Sequence, residues 1–248
     1  MIAIRGLKKR LGQKQVLDGV DLDIPTGKTL VVMGRSGSGK SVLLRHIIGL
    51  MVPDAGSIEV DSTAIVGLRE RELNEVRKRF GMLFQSAALF DSLTVGENLA
   101  LPLREHTKLS RDEITARVAE RLGWVGLSGV EAQKPASLSG GMRKRVGLAR
   151  ALAMDPAYIL YDEPTTGLDP ITADVINRLI RSLQQRIGVT SIVVTHDMAS
   201  AFHVGDEMAM LHEGKIVFTG TPDDARATRD PLVRQFIEGT SDGPAGSL

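Results

Sequence analysis

Four short runs, residues 29–33, 82–84, 158–161 and 191–195, are apolar almost throughout, as strands buried on both faces of a parallel sheet are. Between and after them, apolar residues recur at helical spacing over residues 40–48, 141–153, 171–186 and 199–204. Strand and helix alternating in this way imply right-handed crossovers, with ligands held at the carboxyl ends of the strands. Two stretches break the rhythm. Residues 2–24 together with 56–60 read as short strands of an antiparallel flap, whereas 99–133 carries helical patterns and no strand. The pattern predicts a single α/β domain over residues 1–240. Its parallel sheet core and β flap occupy 1–90 and 155–240, with a helical subdomain inserted at about 91–154. A tail at 241–248, rich in Gly, Ser and Pro, is expected to be flexible.

Composition narrows the partners more than the fold. Lys and Arg number 31 against 30 Asp and Glu, so no whole-molecule field favours nucleic acid or an anionic membrane surface. The chain has no cysteine, which excludes disulfides and thiolate metal sites and fits a reducing compartment. The most apolar stretch, 42–52, is interrupted by Arg45 and His46 and falls short of the ~18 residues of a membrane span. The first residues run into Lys8, Lys9 and Arg10 without the apolar segment of a secretory signal. The chain is expected to be soluble by itself, and its specificity must come from a local site.

That site is visible after the first apolar run. Gly34-Arg35-Ser36-Gly37-Ser38-Gly39-Lys40-Ser41 fits G-x-x-x-x-G-K-[ST] between a strand and a helix. Glycines let such a loop wrap closely, so backbone N–H groups and the positive helix end point at phosphate oxygens. Lys40 adds a charge for the β and γ phosphates, Ser41 is placed to ligate Mg²⁺, and Val42 continues the nucleotide-contacting run. The run at 158–161 ends in Asp162-Glu163-Pro164. Two acids at the carboxyl edge of the same sheet would face metal and γ phosphate, giving Asp162 the Mg²⁺ role and Glu163 the attacking water. Alone, such a pair also fits a solvated strand end or a helix cap. Pro164 should stop the strand and hold the Glu163 carboxylate in place.

A second anion site follows from Ser139, Gly140 and Gly141, which open a long helix whose end carries about half a positive charge. A plain helix cap is the alternative. Arg143-Lys144-Arg145 behind it reads as a solvated helix face.

Leu138-Ser139-Gly140-Gly141-Met142 resembles the LSGGQ signature of ATP-binding cassette (ABC) proteins, with Met142 in place of the usual Gln. Other positions match the same family in order. Gln85 resembles the Q-loop glutamine that touches Mg²⁺ or the attacking water and senses the membrane partner. Gly167-Leu168-Asp169 resembles the D-loop, where many members have Ala instead of Gly167, and His196 resembles the switch histidine that contacts the γ phosphate. His46, His106, His203 and His212 read as surface or packing residues. The resemblance spans residue 2 to about residue 242. It implies a P-loop NTPase (RecA-like) parallel sheet core and an ATPase using ATP and Mg²⁺, with Glu163, His196, Lys40 and Gln85 catalytic and Ser41, Gln85 and Asp162 at the metal. In the family the signature closes on the nucleotide held by a second copy, so Ser139, Gly140, Gly141 and Asp169 would complete the partner's site in a homodimer. The family usually stacks an aromatic residue on adenine; Leu11 stands in that stretch here and gives only apolar contact, which leaves the preference for ATP over GTP open.

Within the family the chain looks closest to the ATPases of Mla and Mce lipid transport systems. The residues that carry this are 84–90, 103–107, Met142, 169–172 and 233–236 with Asp242-Gly243-Pro244. The resemblance implies transport of phospholipids or related hydrophobic molecules across the bacterial envelope, from the cytoplasmic face of the inner membrane. The implied partners are an integral-membrane permease, a periplasmic Mce-domain lipid-binding protein and a small cytoplasmic regulatory subunit. Leu89, Phe90, Leu93 and Val95 read as a groove for a permease helix, with core packing as the alternative. A soluble cassette ATPase acting on ribosomes or nucleic acid is a second reading. Such proteins commonly carry tandem cassettes or a coiled-coil insertion, and only about fifty residues separate Gln85 from Ser139. A cassette ATPase serving an importer or exporter of another cargo is a third.

Overall fold

A computed structural model describes residues 1–240; the tail at 241–248 lies outside the described residues. The chain runs β1 (Ile2–Leu11), β2 (Lys14–Ile24), β3 (Thr29–Met33), α1 (Lys40–Ile47), β4 (Ala55–Val60), β5 (Thr63–Ala64), α2 (Glu70–Arg77) and β6 (Phe80–Leu83). It continues through α3 (Val95–His106), α4 (Arg111–Trp124), α5 (Gly140–Ala151), β7 (Tyr158–Asp162), α6 (Pro170–Ile187) and β8 (Thr190–Thr195). It closes with α7 (Met198–Val204), β9 (Glu207–His212), β10 (Lys215–Gly220), α8 (Pro222–Ala227) and α9 (Pro231–Glu238).

Two sheets result. The strands β2-β1-β4-β5 form an antiparallel flap. Ile2, Ile4, Leu7, Ile58 and Val60 are buried while Arg5, Ser57 and Glu59 face water, so period-two alternation gives the flap one apolar face. The second sheet has the order β10-β9-β3-β8-β7-β6, parallel except for β10 at its edge. Every residue of β3, β7 and β8 is buried because both faces are covered. Leu30 and Val32 point into a cluster with Ile2, Leu17, Leu43 and Ile47 beneath the flap. Val31 and Met33 point the other way, toward Leu148, Ile180 and Ala201.

The interposed helices are fixed by local sequence and by burial together. Thr94 and Ser110 cap α3 and α4, each paired in a capping box with Glu97 or Glu113. Val95, Leu99, Leu103, Val118 and Leu122 then join the core cluster that holds Leu148 and Leu152.

The sequence pattern locates β3 to the residue, but β6 starts earlier and stops at Leu83, leaving Phe84 outside it and exposed. The pattern also omits β9, whose apolar core 208–211 is buried, and two elements with weak signals. In α2 only Leu73 and Val76 are buried among charged residues, and β10 alternates between exposed and half-buried positions.

Register sets where the chemistry can occur. Met33 pairs with Thr195, Asp162 with Val194, and Leu83 with Tyr161. The carboxyl ends of β3, β8, β7 and β6 therefore lie side by side, and the segments starting at Gly34, His196, Glu163 and Phe84 leave the sheet along one edge.

Candidate nucleotide site

The loop between β3 and α1 folds as it does because its glycines leave no alternative. A Cβ at Gly34 would sit 2.4 Å from the Leu211 carbonyl oxygen, and Gly39 has φ +107° with Val16 only 3.0 Å from the place of its Cβ. Gly39 also occupies the position before α1, where it supplies no side-chain cap, so the first N–H groups of the helix stay available to an anion. Ser36, Gly37, Gly39, Lys40, Ser41 and Val42 line a cavity of about 330 Å³ together with Leu11, Val16, Gln85, Glu163 and His196. Gly34 is buried behind the loop, Arg35 is exposed at its bend, and the Ser38 hydroxyl is buried without a hydrogen-bond partner.

Lys40 is 5% exposed and its Nζ donates to the carbonyls of Gly34 at 2.7 Å and Arg35 at 3.1 Å. Glu163 Oε1 lies 3.6 Å from the same ammonium. Burial pushes the Lys40 ammonium below the ordinary lysine value, against the opposing pull of Glu163 and Asp162. Ser41 Oγ donates to Asp162 Oδ1 at 2.7 Å, joining the start of α1 to the end of β7.

Glu163 is held from three directions. Its Oε2 accepts from Thr166 Oγ1 at 3.2 Å and Thr195 Oγ1 at 3.4 Å, and lies 2.9 Å from His196 Nδ1. A carboxylate only accepts, so a neutral His196 ring carries its proton on Nδ1 in this contact. The backbone of Glu163 is left-handed at φ +50°, with Pro164 after it. For a bulky residue this conformation is strained, of the kind that persists where the surroundings impose it; here the Glu163 N–H donates to Val194 O at 3.0 Å.

Ser139, Gly140, Gly141 and Asp169 stand apart from this cavity and do not line it. Ser139 caps α5 by accepting from the Met142 N–H at 3.2 Å and is itself exposed. Gly141 is required by contact, since a Cβ there would meet Thr172 Cγ2 at 2.5 Å. Asp169 is exposed and caps α6, accepting from Ile171 N, Thr172 N and Thr172 Oγ1; these hydrogen bonds, that of the Thr172 hydroxyl first, hold its carboxyl below the usual range. Gly167, where Ala is common in the family, has φ +81°, a conformation that glycine adopts without strain.

Two expectations need correction. Arg143-Lys144-Arg145 is not a solvated face: only Arg143 is exposed, while Lys144 is buried and donates to Gln85 O at 2.5 Å and Glu163 O at 3.3 Å. Nothing in a run of three cations marks the middle one, because its burial comes from packing α5 against two distant loops. Of Leu89, Phe90, Leu93 and Val95, only Phe90 lines a surface groove; Val95 is fully buried at the start of α3 and Leu89 packs against the core. That groove, about 680 Å³, is formed by Phe80, Met82, Phe84, Phe90, Leu101 and Met154 among others. His46 is a packing residue, as expected, buried in α1 with its Nδ1 2.8 Å from Val42 O. Sequence reading also missed Asn98, whose buried amide accepts from Phe90 N and donates to Phe90 O and Thr94 O, fixing the loop that carries Phe90.

A glycine-rich loop, two acids and a histidine on one sheet edge, beside the separate exposed start of α5, define a cassette-type ATPase. The profile described as ABC transporter matches residues 17–166, more than half of the chain. The "Probable ribonucleotide transport ATP-binding protein mkl" of Mycobacterium leprae is 45% identical over 245 residues, covering 99% of this chain and 71% of that protein. The "Intermembrane phospholipid transport system ATP-binding protein MlaF" of Haemophilus influenzae is 43% identical over 244 residues, 98% of this chain and 92% of its own length. A dimeric ATP-binding cassette in a post-hydrolysis state with ADP and Pi superposes with a TM-score of 0.83 at 34% identity, covering 90% of this chain and 99% of the other. The chain belongs to the ABC transporter family, as the ATP-binding and ATP-hydrolysing subunit of a transporter. Members of this family form cassette dimers and work with a membrane permease.

Proposed function

We propose that this chain powers the movement of phospholipids or related hydrophobic molecules across the bacterial envelope, as a homodimer bound to the cytoplasmic face of an inner-membrane permease. The observation that carries the cargo assignment is the near full-length similarity, at 43% identity, to a protein named for intermembrane phospholipid transport. A periplasmic Mce-domain lipid-binding protein and a small cytoplasmic regulatory subunit belong to the same proposal. Among the described residues no helix is long and apolar enough to cross a membrane, so attachment falls to the permease. Its docking place on this chain is the apolar groove of Phe84, Phe90, Leu101 and Met154, next to the Gln85 loop.

The residue roles follow from the site. Lys40, now held by two loop carbonyls, turns to the β and γ phosphates when ATP enters, while the loop N–H groups and the start of α1 bind the remaining oxygens. Leu11 and Val16 give the base apolar contact only. Ser41 Oγ and Asp162 Oδ1, 2.7 Å apart, are the hard oxygen donors Mg²⁺ prefers, and with Gln85 they would hold it. When bound, Mg²⁺ would supply positive charge to offset that of the phosphates. Glu163 accepts a proton from the attacking water, and His196, hydrogen-bonded to it, keeps carboxylate and γ phosphate in line. Ser139, Gly140, Gly141 and Asp169 close on the nucleotide of the other copy.

The cargo assignment is tested by comparing lipids of the two membranes in a strain carrying Lys40→Ala with the parent strain. Altered phospholipid distribution is expected. Unchanged lipids, with loss of nucleotide uptake instead, would transfer the assignment to the cargo class named for the mycobacterial relative. A chain recovered with ribosomes and absent from membranes would overturn transport altogether.

A further inference from the structure

α5 carries a lysine that the set of roles above leaves unused. Lys144 lies three residues after Gly141 and is 5% exposed. Its Nζ donates to the backbone carbonyls of Gln85 and Glu163. Those carbonyls belong to the loop after β6 and to the end of β7, the two segments that bring Gln85 and Glu163 to the cavity. One ammonium thus joins the helix that opens with Ser139 to both segments around the water position. The same helix sends Arg150 to the carbonyls of Ala87 at 2.9 Å and Ala88 at 2.6 Å, two residues with left-handed backbones. The Gln85 loop therefore owes its shape to α5.

A buried ammonium is a costly choice for a filler. Methionine would occupy a similar volume without desolvating a charge, so the lysine must be offset by what it bonds. Burial lowers its proton affinity, while Glu163 and Asp162 favour its charge from a greater distance. It donates to these two carbonyls, one of which belongs to the strained residue that presents the Glu163 carboxylate.

We propose that Lys144 is a positioning residue for hydrolysis: through the carbonyls of Gln85 and Glu163 it sets the separation of the Gln85 loop from the Glu163 carboxylate. By the same bonds it passes movement of the signature helix to the water site. The inference rests on the roles proposed above for Gln85 and Glu163. In-line attack tolerates little displacement, and a misplacement of about 1 Å can cost about 100-fold in rate.

The test uses the full chain with Lys144→Met, Lys144→Gln and, in parallel, Glu163→Gln. ATP turnover, ATP affinity from displacement of a fluorescent analogue, and thermal midpoint are measured for each. Lys144→Met should lower kcat by about 10- to 100-fold while ATP affinity stays within about twofold. Lys144→Gln, which keeps N–H donors without the charge, should fall between Lys144→Met and the parent, and it decides the matter if Lys144→Met fails to fold. A kcat for Lys144→Met within about threefold of the parent overturns the proposal. So does a loss of ATP affinity in step with rate in both variants, since that would mark a purely structural role. Retained turnover in Glu163→Gln alone would strike the assignment of Glu163, and a Lys144 effect in that series would still report on the Gln85 loop.

Discussion

Glu163 shows how much of the site is decided one residue at a time. Its backbone is left-handed, Pro164 follows it, and three side chains surround one carboxylate oxygen. In the role proposed for it, a carboxylate held this firmly should matter for the chemical step and little for binding. Glu163→Gln keeps the shape and much of the hydrogen bonding but cannot take a proton, so turnover should drop about 100- to 10,000-fold with ATP affinity nearly unchanged. Single-turnover hydrolysis beside a binding isotherm separates the two, and near-parental turnover would remove Glu163 from the chemistry. The grouping of Lys40, Ser41, Asp162 and Glu163 was legible in the sequence because each stands close to a strand end. Lys144 and Asn98 were not, because each acts on backbone atoms of another segment. Nothing local distinguishes them from surface residues.

Among elements, the most legible were those with two independent signals. β3 has an apolar run and a phosphate loop after it, and α6 has Asp169 as its cap, Pro170 in its first turn and Gly188 after its end. β6 and α5 approach so closely that a Cβ on Gly81 would sit 2.2 Å from the Ala151 carbonyl oxygen. That contact is invisible in either segment alone. The flap is tied to the sheet in a similar way by Asp61, in the turn after β4. Asp61 accepts from the Met1 amino group at 2.6 Å and the Tyr158 hydroxyl at 2.6 Å, and pairs with Arg79. Burial alone would raise the Asp61 carboxyl, but the amino terminus, Tyr158 and Arg79 together hold it at about 2. A folded value below the unfolded one of ~3.9 stabilises the fold fully above that pH, and the contribution is lost as pH falls through about 2. Because the side chain is about a third exposed, screening reduces its contribution to about 1 kcal/mol. Asp61→Asn should therefore lower the denaturation midpoint at pH 7, and the gap to the parent should close between about pH 4 and pH 2. A gap that stays constant across that range would show that the charge contributes nothing.

At the scale of the whole molecule, the N-termini of α1 and α5 do not open on one cavity. The start of α1 opens into the cavity of Lys40 and Glu163, whereas Ser139 is exposed and Gly140 and Gly141 lie outside that cavity. Near Asp169, Ile171 is 80% exposed, a large apolar side chain left bare at the start of α6. A two-fold arrangement resolves both observations, since the α5 end of each protomer would then meet the nucleotide held at the α1 end of the other. Turnover by the chain should accordingly rise faster than linearly with its concentration until dimers saturate. In the Glu163→Gln background, where ATP is retained, light scattering should show dimers only when ATP is present. Adding Ser139→Glu places a carboxylate where phosphate oxygens would arrive, and like charges so close repel strongly. That double variant should bind ATP through the Lys40 loop as before yet remain monomeric. Specific activity independent of concentration, or ATP-dependent dimers that survive Ser139→Glu, would mean that the second helix end serves something other than the partner's nucleotide.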